Sequence, residues 1–212
     1  CTLVALGRIG EAAGRLQALQ AAPLLESEAR LNAATAAIWL HLERGENDAV
    51  APVFAEFMQE QERCASLADW GTIPPPRLTA CRDVAALTQR WATGALAVAG
   101  DQPVPLRCYA WLVLGWRALW LGRPAESAAM LEQALGEAAW GGHQVIARSH
   151  GLALQAALAA VRGDTAAALA LAQQRVDEQP AGYGGWGLWH ALVYAARITG
   201  ACGDAKRLRA LL

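Results

Sequence analysis

The sequence predicts an all-helical protein, a solenoid of antiparallel helix pairs, and three observations carry that expectation. Apolar residues recur with helical spacing through almost all of the 212 residues, and β-branched runs with strict alternation are absent. Glycine followed by a polar residue interrupts the helical pattern at Gly7-Arg8, Gly45-Glu46, Gly122-Arg123, Gly163-Asp164 and Gly203-Asp204. The spacing is 38 residues from Gly7 to Gly45, 41 from Gly122 to Gly163 and 40 from Gly163 to Gly203, and the remaining gap of 77 is about two periods. A period near forty means helix pairs that cannot bury an apolar face alone and bury it by stacking.

In chain order, Gly7 reads as the turn of a hairpin whose first helix is nearly all missing. Each glycine suits the left-handed geometry that ends a helix, and Asp164 and Asp204 suit the start of the next. Between Gly45 and Gly122, "GTIPPPRL" (71–78) and "AGDQPVPL" (99–106) forbid a continuous helix. One irregular repeat near 71–104 is expected there, with a helix from about Arg77 to Thr93. Residues 71–76 read as a hinge between subarrays 1–70 and 77–212, or as a plain loop. In "AGYGGWGLWHAL" (181–192) Trp189 and His190 are expected to begin the next first helix. The last helix stops at Leu212 without a polar cap. The expectation is a single solenoid over 1–212, cut at both ends from a longer protein.

Composition excludes several classes. With 55% hydrophobic and 17% charged residues the chain is not disordered, and a net charge of -1 leaves no electrostatic footprint for nucleic acid or an anionic membrane. Lys206, Arg207 and Arg209 read as a solvated last helical turn. The most apolar stretch, Tyr109 to Gly122, is too short to span a bilayer and carries Arg117. No signal-peptide pattern is present. Cys1, Cys64, Cys81, Cys108 and Cys202 are odd in number and scattered, which reads as reduced, mostly buried thiols in a cytoplasmic protein.

The segment "YAWLVLGWRALWLGRPAESAAMLEQAL" around Gly122 resembles a tetratricopeptide repeat. Trp111, Leu114 and Gly115 stand at that family's large, apolar and close-packing places in the first helix, and Ser127, Leu131 and Ala134 at those of the second. Looser matches are Ala156, Ala168 and Pro180 around Gly163, and Glu11, Ala12, Leu16 and Leu19 after Gly7. The family's period is shorter, so longer helices are expected here. In this longer, Ala- and Arg-rich form the chain is similar to the helical-repeat region of MalT-like, LuxR-type ATP-dependent bacterial transcriptional regulators. The resemblance implies a right-handed superhelix between an ATPase module and a helix-turn-helix. Neither activity is expected of this segment: its only lysine, Lys206, lies in no phosphate-binding loop, and no DNA-reading helix is found.

Catalytic patterns are equally lacking. His41, His143, His150 and His190 form no H-E-x-x-H and pair with no cysteine at ligand spacing, and there is no G-x-S-x-G. Glu126, Glu132 and Glu137 read as an exposed helix face. No enzyme, metal or cofactor is expected.

The nine tryptophans stand out, since ordinary composition gives about three in a chain this long. Trp111 reads as core. In tetratricopeptide-like arrays the groove-facing places lie 13, 10, 6, 3 and 2 residues before the turn. For Gly122 these are Tyr109, Leu112, Trp116, Leu119 and Trp120. Across the repeats the place six before the turn holds Trp39, Trp116, Ala157 and Arg197, and the place thirteen before holds Asn32, Tyr109, His150 and His190. Trp186 and Trp189 fit either the groove or inter-repeat packing, and His150 fits the groove or a polar helix start.

The expected binding set is Trp39, Tyr109, Trp116, Trp120, His150, Trp186, His190 and Arg197. The expected function is a non-catalytic sensor or interaction domain of a bacterial transcriptional regulator. Its concave aromatic groove would take a small-molecule effector, a protein partner or another domain of the same polypeptide, with no direct contact to nucleic acid or membrane. A protein-protein scaffold without a small ligand is the alternative, and an all-helical enzyme the third reading.

Overall fold

Every predicted turn glycine is left-handed: Gly7, Gly45, Gly122, Gly163 and Gly203 have φ between 72° and 79°. Glycine reaches this region without the clash a Cβ would meet. At four of the turns two reversed hydrogen bonds close the helix. The glycine N–H bonds the third carbonyl back, as Gly122 to Leu119 at 3.0 Å, and the next N–H bonds the fifth back, as Arg123 to Ala118 at 2.9 Å. The same two bonds form at Gly45, Gly163 and Gly203. They satisfy carbonyls that have no partner within the helix. Asp164 and Asp204 then accept the backbone N–H groups of Ala167 at 3.0 Å and Arg207 at 2.9 Å, starting the following helices. Arg8 and Arg123 form no such cap.

The computed structural model describes residues 3, 7–21, 26–63, 84–142, 150–178 and 184–211, with the backbone alone for 184–190 and 211. Among the described residues the fold is all-helical, with α1 (Ile9–Gln20), α2 (Ser27–Arg44), α3 (Asn47–Arg63), α4 (Ala85–Ala99), α5 (Pro105–Trp120), α6 (Pro124–Gly141), α7 (Leu152–Val161), α8 (Thr165–Asp177), α9 (Gly184–Ala201) and α10 (Ala205–Leu211). None of these helices is long and apolar enough to cross a membrane. The chain divides into two compact units, Cys1–Gln102 and Pro103–Leu212. The division falls within "AGDQPVPL", while residues 71–76 lie outside the described residues.

In the first unit α2 and α3 pair across Gly45, with α1 against α2 and α4 against α3. Leu31, Ile38, Val50, Phe54, Phe57 and Met58 fill the space between them, and Trp91 of α4 is fully buried. In the second unit α5 pairs with α6, α7 with α8 and α9 with α10, and α7 also packs against α5, α6 and α9. Its core is mostly alanine and leucine, including Leu112, Ala134, Ala153, Leu154, Ala157 and Ala168. Close packing shows at Gly115, where a Cβ would fall 2.8 Å from Leu154 Cδ2 and 3.5 Å from the Ser127 carbonyl.

Two element boundaries differ from the sequence reading. The helix expected to end at Thr93 runs on to Ala99, because Ala95 and Ala99 continue the buried stripe of Trp91 and Ala92. It stops at Gly100, whose φ is 54°. Residues 77–83 lie outside the described residues. The last long helix begins at Gly184, not at Trp189, so Gly184 and Gly185 form its first turn. Glycine tolerates helical dihedrals at a modest entropic cost, and the apolar face that follows carries it along.

Candidate functional site

The second unit gathers aromatic side chains from helices that are not neighbours in sequence. Residues i and i+4 lie on one helical face, so α5 presents Trp116 and Trp120 together. Their rings stack at 6.3 Å with 25° between planes. On the other flank of α7, α9 presents Tyr194, whose ring lies 5.7 Å from that of Trp116. Between α5 and α9, α7 contributes small side chains, Ala153, Ala156 and Ala157, all buried in the same cluster. Small residues there leave room for the large rings of both flanks to meet. Farther along α5, Tyr109 meets His150, at the approach to α7, edge to face at 5.4 Å.

Arg175 of α8 backs this ladder, its guanidinium 4.6 Å from the centre of the Tyr194 ring and only 4% exposed. Burial pulls its pKa down to about 10, with the nearby Tyr194 working the other way, so it stays charged at neutral pH. Burial likewise pushes the Tyr109 hydroxyl well up, with Tyr194 adding to the rise. The ladder therefore runs from a buried cation through Tyr194 and Trp116 to Trp120, which is 55% exposed.

Placement of the predicted set is uneven. Tyr109, Trp116, Trp120 and His150 belong to this assembly. Tyr109, Leu112 and Trp116, expected to face an open groove, are instead buried, with Trp116 at 7%. The alanine-lined α7 explains this, since a ring beside small side chains fills the gap they leave. Leu119 is half-buried and Arg197 is exposed. Trp39 is half-buried in the first unit. The side chains of Trp186 and His190 lie outside the described residues.

Two members were missed. Tyr194 stands nine residues before Gly203, at none of the groove places, and Arg175 lies on a second helix. One signal was present: Arg175 follows Ala168 and Ala172 at spacing i+7 and i+3, on the buried stripe of α8. A charge on such a stripe marks a buried polar contact.

Glu137 corrects another expectation. It is not a solvated carboxylate but accepts two hydrogen bonds from Arg107, at 2.9 and 2.7 Å, and one from Trp111 Nε1 at 2.9 Å. Burial pushes its pKa up, and those hydrogen bonds with the arginine's charge outweigh it, leaving the group below the usual carboxylate range. This clasp joins α5 to α6, while Trp111 packs against the core as expected. Glu126 and Glu132 are exposed. Cys108 is buried with its thiol pushed up to about 11, chiefly by desolvation, and Cys202 is half-buried. Cys1, Cys64 and Cys81 lie outside the described residues.

An open cleft of about 730 Å³ also lies among α6, α7 and α8, lined by residues that include Leu131, Leu135, Leu158, Leu171, Glu132 and Arg162. None of the predicted binding residues whose side chains are described lines it. Among the described residues no group of three or more His, Cys, Asp or Glu is placed to hold a metal ion. Compared with protein-family models and with curated proteins, the chain matches none.

Proposed function

We propose that the chain is the tetratricopeptide-like sensing and interaction module of a cytoplasmic bacterial transcriptional regulator, and that it binds without turnover at the aromatic face around Trp120. The repeat reading is supported by turn glycines of one geometry about forty residues apart. The binding reading rests on one observation: an indole 55% exposed is held flat against a ring that is itself 7% exposed and braced from behind. An exposed ring fixed in this way loses little freedom on binding, and flat aromatic anchors dominate interface energies. A regulatory effect then follows from unequal binding to two states of the parent protein.

The test is quenching of tryptophan fluorescence across a panel of flat-ringed metabolites, repeated with Trp120→Ala. Saturable quenching is expected in the native chain. Its loss in the variant, with an unchanged melting midpoint, is the supporting result; retained affinity would remove Trp120 from the site. Trp116→Ala, although natural to try, is unsuitable because its ring is buried structure. A protein-protein scaffold has one observation in its favour: Trp140 is 77% exposed and makes no ring contact among the described residues. Capture of a partner protein lost in Trp140→Ala but kept in Trp120→Ala would select that reading.

A further inference from the structure

Resting on that reading of the Trp120 face, we propose that its ligand is a planar aromatic anion, with the ring on the Trp120 indole and the negative group on the guanidinium of Arg197. Three observations support the charge. The helices that form the face, α5, α7 and α9, contain no aspartate or glutamate at all. Carboxylates of this unit sit on α6 and α8 or beside the turns, and those nearest the α5 and α9 ends are engaged, Glu126 with Arg123, Glu137 with Arg107, and Asp204 with the Arg207 backbone.

Arg197 is exposed and has neither an ion pair nor a side-chain hydrogen bond among the described residues. This sets it apart from Arg30, Arg90, Arg107 and Arg123, each of which holds a carboxylate. It lies three residues beyond Tyr194, hence one turn along the same side of α9, with Cβ atoms about 5–6 Å apart. Tyr194 touches Trp116, and Trp116 stacks on Trp120. This guanidinium, unpaired among the described residues, therefore stands one turn from the ring ladder.

Arg117 adds to the field from α5. It is three residues before Trp120, and its buried Nε has no hydrogen-bond partner among the described residues. A bare indole face favours cations. Here Arg117 on the same helix, Arg197 one turn from Tyr194, and Arg175 charged against Tyr194 make the field around the ladder positive and reverse that preference.

The experiment is calorimetric titration of the 212-residue chain with adenosine 5′-monophosphate and indole-3-acetate, beside their neutral counterparts adenosine and indole-3-acetamide, the cation tryptamine, and inorganic phosphate. At least one anion is expected to bind about tenfold or more tightly than its neutral counterpart, with tryptamine and phosphate weaker still. Whichever anion binds identifies the negative group as phosphate or carboxylate. Arg197→Ala should bring the anion down to its neutral counterpart's affinity with an unchanged melting midpoint, and Arg197→Lys should restore part of the difference. Equal affinity for anion and neutral compound, no effect of Arg197→Ala, or no binding by either anion overturns the proposal. Equal affinities that still vanish in Trp120→Ala overturn the charge but leave the Trp120 site standing; affinity retained in Trp120→Ala removes both.

Discussion

The two units share one glycine turn, at Gly45 in the first and at Gly122, Gly163 and Gly203 in the second, and differ in where they put their rings. In Cys1–Gln102 the rings are the filling: Phe54 and Phe57 lie 5.7 Å apart at the centre, and Trp91 has no exposed surface. In Pro103–Leu212 alanine and leucine do most of the filling, Tyr109 and Trp116 are buried against them, and Trp120 at the end of the ladder is open to solvent. The small side chains of α7 leave room for one indole, Trp116, and the next ring along the ladder, Trp120, stays outside. A ring stays open to solvent only where other side chains have filled the core, which is why one tryptophan-rich chain holds both sealed and solvent-facing rings.

The largest expected effect separates those two uses. Trp91→Ala should destabilise by about 3–5 kcal/mol, the cost of a large aromatic cavity in a sealed core. Trp116→Ala should approach that value. Trp120→Ala should stay within about 1 kcal/mol, since its ring is already wet. Denaturant unfolding followed by circular dichroism measures all three. A loss in Trp120→Ala as large as in Trp91→Ala would make the exposed indole structural and dissolve the difference between the units.

Glycines give the next, smaller contrast. Gly115→Ala should cost about 1–3 kcal/mol, because its Cβ meets a buried Leu154 that can move only by repacking. Gly14→Ala in α1 meets nothing within 4 Å and should stabilise by about 0.5–1 kcal/mol through helix propensity alone. A stabilising Gly115→Ala, read from the melting midpoint, would show that the second unit is packed more loosely than its alanines imply.

These contrasts also mark what the sequence makes legible. Turn glycines are readable because a left-handed residue is a local requirement, and all five meet it. The asparate caps are readable for the same reason at Asp164 and Asp204. Helix limits are less so: α4 outruns Thr93 because its buried stripe, a tertiary fact, overrides the weak helix propensity of Thr93 and Gly94. In the aromatic assembly of the second unit, Tyr109, Trp116, Trp120 and His150 are found from their distance to a turn. Their burial is not, because it depends on Ala153, Ala156 and Ala157 of another helix. Tyr194 and Arg175 join the ladder through contacts between elements, which no single helix's periodicity encodes. Glu137 reads as solvated for the same reason, since its partners Arg107 and Trp111 are 30 and 26 residues away.

The smallest expected effect concerns the ion pairs, and it again divides the units. Hydrogen bonds from Arg30 hold Glu60 below the usual carboxylate range, and the clasp of Arg107 and Trp111, prevailing over burial, does the same for Glu137. A lowered carboxylate stabilises the fold fully above its unfolded pKa, about 4.3, and that contribution is lost as pH falls through the lower folded value. Both units should therefore weaken on the acid side of about pH 4.5. In the first pair the Arg30 side chain is 48% exposed and that of Glu60 12%, whereas those of Arg107 and Glu137 are 18% and 20% exposed. Solvent reaches the first pair through its arginine and screens it more than the second, in which both partners are shielded. Glu137→Gln should flatten the acid limb of stability by about 1 kcal/mol, and Glu60→Gln by less than about 0.5 kcal/mol. Raising salt to about 0.5 M should erase most of the smaller effect and little of the larger. Equal flattening by the two substitutions in melts between pH 3 and 7 would mean that the α5–α6 clasp is as wet as the α2–α3 pair, and that the second unit's polar contacts are no better shielded than the first's.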